Sequence, residues 1–469
     1  MKRKKLYRHM HYSAALKKLR LSAVISVIPL IEQLLMHPAD ISPATVSIST
    51  AFTSVMLLWG ILSYRSITYR LTPNGIKLKN GILSRRIFTV PYDRLRVLTF
   101  SQGLTERLTG GVSVFLDTAA VLRRYRDIPV CLPLKNAARV KKLFSGRNEP
   151  LYRCNIFGAL FSAAFLSEPA ADAFLLIPVL SQAAAVTGNG AKALTAGYDI
   201  SLRLLRSFSP GSILIFSGLF FSLWLTAVLI RALRLMKLSS SVSGKYAVTE
   251  RGILTRVISF SRLDGICALV KEQSGLMYLL KRNNIFLYTA GYEPRGREKN
   301  LFAPAQPDRL FSELKNNVFK FDGKEKVIIS PPRKAVFSYI ALYLTGIMCI
   351  SAGGIFCIVL GFGSPGTLIL CLVPLFMRRM IFVIITFKGY YASVCENHIC
   401  IRTCKKMKLR SYYLPFGSIQ KIIIKQNPLQ RKKHTCTMCL YIYSSRELCI
   451  PLKHLRESDV RIFLKSINC

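Results

Sequence analysis

The sequence predicts a membrane protein of mixed class, with six transmembrane helices in three pairs, each pair followed by a basic, β-rich domain that ends in a helix. Three observations predict this. Half of the 469 residues are apolar (51%) and the mean hydropathy is +0.33, which argues against a water-soluble enzyme. The formal net charge is +44, a surplus that needs a negative counter-surface, either nucleic acid or an anionic membrane leaflet. Apolar runs near 21–37, 45–64, 155–181, 211–230, 335–360 and 366–386 each approach the roughly 17–25 residues a helix needs to cross about 30 Å of hydrocarbon.

In chain order, residues 1–20 form a basic N-terminus that contains Lys2-Arg3-Lys4-Lys5. No small-residue cleavage pattern follows at His37-Pro38-Ala39-Asp40, so 21–64 reads as an uncleaved first helix pair rather than a signal peptide. The second pair spans 154–230 with an outer connector at 181–210, within which Asp199 to Phe208 has the spacing of an amphipathic surface helix. The third pair spans 335–386 and is interrupted by Arg378 and Arg379. Of the 67 Lys and Arg, the connectors hold only Lys192, Arg203 and Arg206. The positive-inside rule therefore predicts a multi-pass protein of the plasma membrane with both termini and the segments 65–153, 231–334 and 387–469 in the cytoplasm. In that compartment the thirteen cysteines are expected to be reduced.

The three cytoplasmic segments resemble one another. Tyr69-Arg70-Leu71-Thr72-Pro73-Asn74-Gly75-Ile76 opens the first and Tyr246-Ala247-Val248-Thr249-Glu250-Arg251-Gly252-Ile253 the second, while the third has Tyr391 and Asn397 at the same interval. Asn397 is read as the usual substitute for Gly where positive φ is needed. An apolar residue precedes a Gln by seven positions in each: Leu95 and Gln102, Ile266 and Gln273, Ile419 and Gln426. Thr118-Ala119 and Thr289-Ala290 close alternating stretches. Cys131-Leu132-Pro133-Leu134-Lys135 matches Cys449-Ile450-Pro451-Leu452-Lys453, and each leads into an amphipathic helix, around 137–144 and 458–467. Asp308 to Lys315 is the counterpart in the second segment. The interval from Gly252 to Gln273 is six residues shorter than that from Gly75 to Gln102, which predicts a trimmed hairpin in segment two.

On these residues, with Gly81-Ile82-Leu83 and Pro91, the chain resembles the bacterial membrane-flanked PH-like domain family of the YdbS/YdbT type. The layout of helix pair followed by domain, repeated three times, carries the resemblance over nearly the whole chain. It implies a pleckstrin-homology-like β-barrel or bent sheet with a C-terminal helix in 65–153, 231–334 and 387–469, the third diverged. It implies no catalytic residues.

The residues themselves point to binding rather than catalysis. Thr187-Gly188-Asn189-Gly190-Ala191-Lys192 lacks the spacing of a phosphate loop, and neither a metalloprotease nor a nucleophile-elbow motif is present. Cys395, His398, Cys400 and Cys404 with His434, Cys436 and Cys439 suggest zinc. Cys436 and Cys439, however, would point to opposite faces of a strand, so reduced cysteines filling a β core are the favoured reading and no metal or cofactor is expected. Glu32, Glu168 and Asp172 fall in apolar runs, where an ionisable group costs at least about 2.5–3.5 kcal/mol and usually has a task. A break in the third span near Ser167 would instead leave Glu168 and Asp172 at the outer interface.

Basic runs at Arg123, Arg124 and Arg126, at Lys405, Lys406 and Lys408, and at Arg431, Lys432 and Lys433 are candidates for anionic lipid headgroups or a protein partner. Each charge near such a leaflet contributes about 1 kcal/mol, although the positive-inside bias accounts for much of this charge without a ligand. No nucleic-acid module is present. The expected function is a scaffold, or an envelope-stress component, whose PH-like modules meet the anionic inner leaflet or a second membrane protein of the same family. The alternative is a membrane export, transport or toxic-peptide resistance unit that uses the intramembrane acids.

Overall fold

The computed structural model describes residues 7–16, 43–81, 84–118, 130–144, 150–166, 225–289, 301–321, 323, 325–359, 373–405, 408–442 and 448–467. Its contacts divide into two compact units. The first holds Met1–Arg153, Leu238–Ile266 and Thr289–Gly296, the second Cys154–Lys237, Cys267–Tyr288 and Arg297–Cys469.

In the first unit, β1 (Arg8–His9), β2 (Thr68–Thr72), β3 (Gly75–Asn80) and β4 (Arg86–Pro91) form an antiparallel sheet in that order. Alternation places Ile76 and Leu78 in the core, with Lys77 and Lys79 between them. A 3-10 turn, Tyr92–Arg94, leads into β5 (Leu95–Gln102), β6 (Gly111–Thr118) and β7 (Val130–Pro133). The sheet does not end at β5. It continues through β11 (Arg256–Arg262), β10 (Tyr246–Arg251) and β9 (Ser239–Ser243) to β8 (Tyr152–Arg153).

Helix α1 (Pro43–Arg65) precedes β2, and α2 (Leu104–Thr109) joins β5 to β6. After β7 comes α3 (Leu134–Phe144), which buries Asn136, Ala137, Val140 and Phe144, the stripe expected of a helix with one apolar face. The Asn136 amide donates to the Tyr69 hydroxyl at 3.1 Å, and Phe144 meets Tyr92, Tyr246 and Phe260. Helix α3 thereby closes one core shared by strands from the first and second strand-rich segments.

The second unit repeats this joint. β12 (Ile266–Ser274), β13 (Asn283–Thr289) and β14 (Leu301–Gln306) are continued by β18 (Lys408–Pro415), β17 (His398–Lys405), β16 (Tyr391–Val394) and β15 (Val327–Ile329) in the order β14-β13-β12-β18-β17-β16-β15. β19 (Ile419–Lys425), β20 (Thr435–Ile442) and β21 (Leu448–Arg456) form a fourth sheet. Its helices are α4 (Ile156–Leu166), α5 (Gly275–Leu279), α6 (Asp308–Glu313), α7 (Val336–Val359), α8 (Val373–Phe387), α9 (Pro428–Lys432) and α10 (Glu457–Ile467). Helix α10 seals the β19–β21 sheet with buried Val460 and Phe463. Helices α7 and α8 pack closely: a Cβ on Gly346 would lie 2.8 Å from the Phe376 ring.

The expected architecture of six transmembrane helices in three pairs, each followed by its own barrel, is not what the structure shows. Among the described residues one helical stretch, Arg333–Phe356, is long and apolar enough to cross a membrane. The reasons are local. Helix α1 carries seven Ser and Thr along its 23 residues, and α8 includes Arg378 and Arg379. Residues 21–37, 167–224 and 360–372 lie outside the described residues. The β parts are not separate barrels either, because β5 and β12 each pair with a strand from the following segment. Such pairing satisfies the edge N–H and C=O groups that a half-barrel would leave open.

No hairpin is trimmed in segment two. Gly75 faces Pro91 across the β3–β4 hairpin and Tyr246 faces Arg262 across β10–β11, so Tyr246 corresponds to Gly75. The interval to the following Gln is then the same in both segments, and the likeness of Tyr246 to Tyr69 is one hairpin out of step. Gly75 is required by space rather than by φ: its Cβ would stand 2.4 Å from the Val90 carbonyl oxygen. Gly252 does take φ +88°, whereas Asn397 is not among the positive-φ residues.

Candidate anion-binding site

A recurring bond organises the end of the β19–β21 sheet. Gln426 Nε2 donates to the Thr435 carbonyl at 3.3 Å, Gln273 to the Arg282 carbonyl at 3.2 Å and Gln102 to the Gly111 carbonyl at 3.3 Å. In each case the acceptor lies nine residues on, across a short helix. The residue before each acceptor is left-handed: Gly110 at φ +74°, Lys281 at +52° and His434 at +49°. A left-handed residue at a helix end turns the chain sharply into the next strand.

In the third instance this geometry builds a basic cavity. Asn427 and Gln430 form a capping box on α9, with the Asn427 amide donating to Gln430 Oε1 at 3.1 Å. Pro428 sits at the first helical position, where its missing N–H costs nothing. The His434 amide donates to the Arg431 carbonyl at 3.2 Å, and the His434 carbonyl accepts from the Glu457 amide at 3.2 Å. Those bonds hold the exit of α9 against the start of α10. Strand register sets Thr435 opposite Arg456.

The resulting cavity of about 560 Å³ is lined by Lys433, His434, Arg456, Glu457, Ser458 and Arg461. Three permanent cations face one carboxylate, at the positive end of an 11-residue helix. Arg461 Nη2 donates to Glu457 Oε1 at 2.6 Å. Hydrogen bonds from Arg461 and Gln426, with the Arg461 charge, hold the Glu457 carboxyl below the usual range. Arg431 and Lys432 are exposed on the adjoining α9. Planar guanidinium forks, a hydroxyl and a helix N-terminus together suit the oxygens of a phosphate group.

Of the basic residues singled out in the sequence, Arg431, Lys432 and Lys433 gather here. Lys408 is instead buried, its Nζ 3.2 Å from Glu272 Oε1, so it is not presented to a ligand. Lys405 ends β17; Lys406, Arg123, Arg124 and Arg126, like Glu32, Glu168 and Asp172, lie outside the described residues. Arg456, Ser458 and Arg461 were missed. Their signal is the start of the last amphipathic helix, but the strand register that brings them to Lys433 is not written in local spacing.

Of the Cys/His group, His398, Cys400, Cys404, Cys436 and Cys439 lie on strands, Cys395 follows β16 and His434 sits in the turn before β20. Cys395, His398, Cys400, Cys436 and Cys439 are buried, and among the described residues no three His, Cys, Asp or Glu are grouped as metal ligands. His398 packs between Phe321 and Tyr413. Burial pushes the Cys400 thiol up to about 11 and those of Cys395 and Cys436 upward too, which disfavours the thiolate a metal requires.

Residues 20–148 match the family model described as Bacterial PH domain, so this part of the chain carries a bacterial PH domain, the one built from β2–β7 and α3. No curated protein and no solved structure matches the chain.

Proposed function

We propose that the chain is a membrane-anchored binding protein, not a catalyst, whose PH-like unit is written three times and whose third instance takes an anionic, phosphate-bearing lipid headgroup. The observation that carries the proposal is the cavity that Lys433, Arg456 and Arg461 make at the start of α10. The net charge of +44 and the bacterial PH domain at 20–148 support it. Helices α7 and α8, packed against each other, are together the anchor. The strands before and after them, β15 and β16, are antiparallel neighbours, so the chain leaves and re-enters one sheet. That return supports a location of the strand-rich parts and both termini on the cytoplasmic face of the plasma membrane, where Lys and Arg accumulate and anionic lipid is at hand.

The test is titration of the full chain in neutral detergent with short-chain phosphatidic acid or phosphatidylglycerol, against phosphatidylcholine. Preferential binding of the anionic lipids is expected, weakened roughly tenfold by Lys433→Ala with Arg461→Ala, about 1.4 kcal/mol. Equal binding of neutral and anionic lipids, or indifference to the double substitution, overturns the proposal.

A further inference from the structure

Two joints inside this chain follow one rule. At each, the strand that runs into a 3-10 turn pairs antiparallel with the strand that left the preceding 3-10 turn: β11 with β5, and β18 with β12. The registers are identical. Arg262 leads into the turn Leu263–Gly265 and Pro415 into Phe416–Ser418; six positions earlier, Arg256 faces Gln102 and Leu409 faces Gln273. Those are the glutamines that make the recurring bond to the carbonyl nine residues on.

The rule leaves one strand of each kind over. β4 runs into the first 3-10 turn, Tyr92–Arg94, and β19 leaves the last; each stands at the end of its sheet. Pro91 holds the place of Arg262 and Pro415. Carrying the register over puts Arg85 opposite Gln426, Ile87 opposite Ile424 and Thr89 opposite Ile422. Ile87 is 62% exposed and Ile424 43%. The pair in the same place at the first joint, Ile258 and Phe100, is 8% and 5% exposed. Two large apolar side chains thus stand open on two strand edges at the positions where the existing joint buries its own pair.

From the shared register and this exposed pair we infer that β4 of one copy of the chain pairs antiparallel with β19 of a second copy, Ile87 against Ile424. The occupant is a second copy because this chain carries both halves of the joint and already makes it twice within itself. Each copy offers one β4 and one β19, so the contact is heterologous and propagates until a ring closes or a filament forms. One feature of the joint opposes it: Arg86 would face Lys425, two like charges, where the second joint has Arg410 on Glu272 at 2.7 Å. Salt screens that repulsion, so assembly strengthens as ionic strength rises.

Two differently tagged copies of the full chain in neutral detergent provide the test, by co-purification and by mass from light scattering at low and high salt. Co-purification of wild-type copies is expected, increasing with salt. Ile87→Lys in both copies, or Ile424→Glu in both, is expected to weaken it at least tenfold. A mixture of Ile87→Lys copies with Ile424→Glu copies is expected to recover it, because the Lys and Glu then face each other at one joint. Since both side chains are exposed, the substitutions leave the fold in place, and recovery in the mixture separates a broken joint from a misfolded chain. A wild-type monomer at every salt concentration overturns the inference. So does assembly indifferent to both substitutions, or β4 and β19 engaging only a different protein.

Discussion

Arg410 on β18 donates a 2.7 Å hydrogen bond to Glu272 on the facing strand β12, and Lys408 reaches the other carboxylate oxygen at 3.2 Å. All three side chains are nearly or fully buried. Burial opposes the Arg410 charge, but Glu272 beside it outweighs that cost and holds the guanidinium protonated beyond its ordinary range. Two cations on one carboxylate leave a surplus positive charge at the joint between the second and third strand-rich segments, so the lone acid is the member that cannot be spared.

Replacing Glu272 with Gln therefore strands two buried cations. Removing one partner of a buried ion pair costs about 3–5 kcal/mol, and Glu272→Gln is expected to lower stability by that order. The combined change Glu272→Leu, Lys408→Met, Arg410→Leu, which removes every charge together, is expected to cost markedly less, since apolar replacement of a whole buried cluster is often near neutral. Chemical unfolding of the full chain in detergent measures both. A Gln variant as stable as wild type would remove the cluster from the account of how the joint holds.

Helix α7 is tied to the sheet that carries the basic cavity. The Tyr339 hydroxyl donates to the Lys453 carbonyl on β21 at 2.9 Å, and its ring meets Phe387, Tyr390 and His454 edge-on. Tyr339→Phe keeps the ring contacts and deletes one hydrogen bond, for an expected loss of about 0.5–1.5 kcal/mol. Tyr339→Ala removes both and is expected to cost about 3–5 kcal/mol, as large aromatic truncations do. Equal losses for the two variants, in the same unfolding measurement, would mean that the rings contribute nothing.

Much of this arrangement was legible in the sequence because it is local. The strand-turn-strand opening at Tyr69, the amphipathic stripe of α3 and the recurring Gln102, Gln273 and Gln426 all leave short-range signals. The basic run Arg431-Lys432-Lys433 was visible for the same reason. What escaped was non-local. Nothing within a window around β5 announces that its partner is β11, more than 150 residues away, and a pattern matched on Tyr69 and Tyr246 slipped by one hairpin. Lys408 looked like a surface charge because its neutralising acid, Glu272, lies on another segment. Left-handed Lys281 and His434 carry no glycine signal, unlike Gly110, since the Gln bond and the following strand enforce a conformation the residue type does not favour. The six-span expectation failed on composition: a hydropathy run ignores the hydroxyls of α1 and the paired arginines of α8.

Asp264 staples the first joint. It follows β11, receives Arg262 in a two-pronged bond at 3.0 and 2.7 Å, and meets Arg96 of β5 at 3.0 Å. Burial pushes its carboxyl upward, but the Arg262 hydrogen bond and charge, then those of Arg96, outweigh it and leave the carboxyl below its ordinary value of 3.8. A carboxyl lowered on folding contributes stability that is present above the unfolded value and is lost as pH falls through the folded one. Wild type is therefore expected to exceed Asp264→Asn in unfolding midpoint at pH 7, and the gap to close as pH drops below 3.8. The group is half exposed, so solvent screening keeps the gap small, and added salt is expected to shrink it further. A gap that persists unchanged to low pH would mean that shape at this turn, rather than charge, holds β11 on β5.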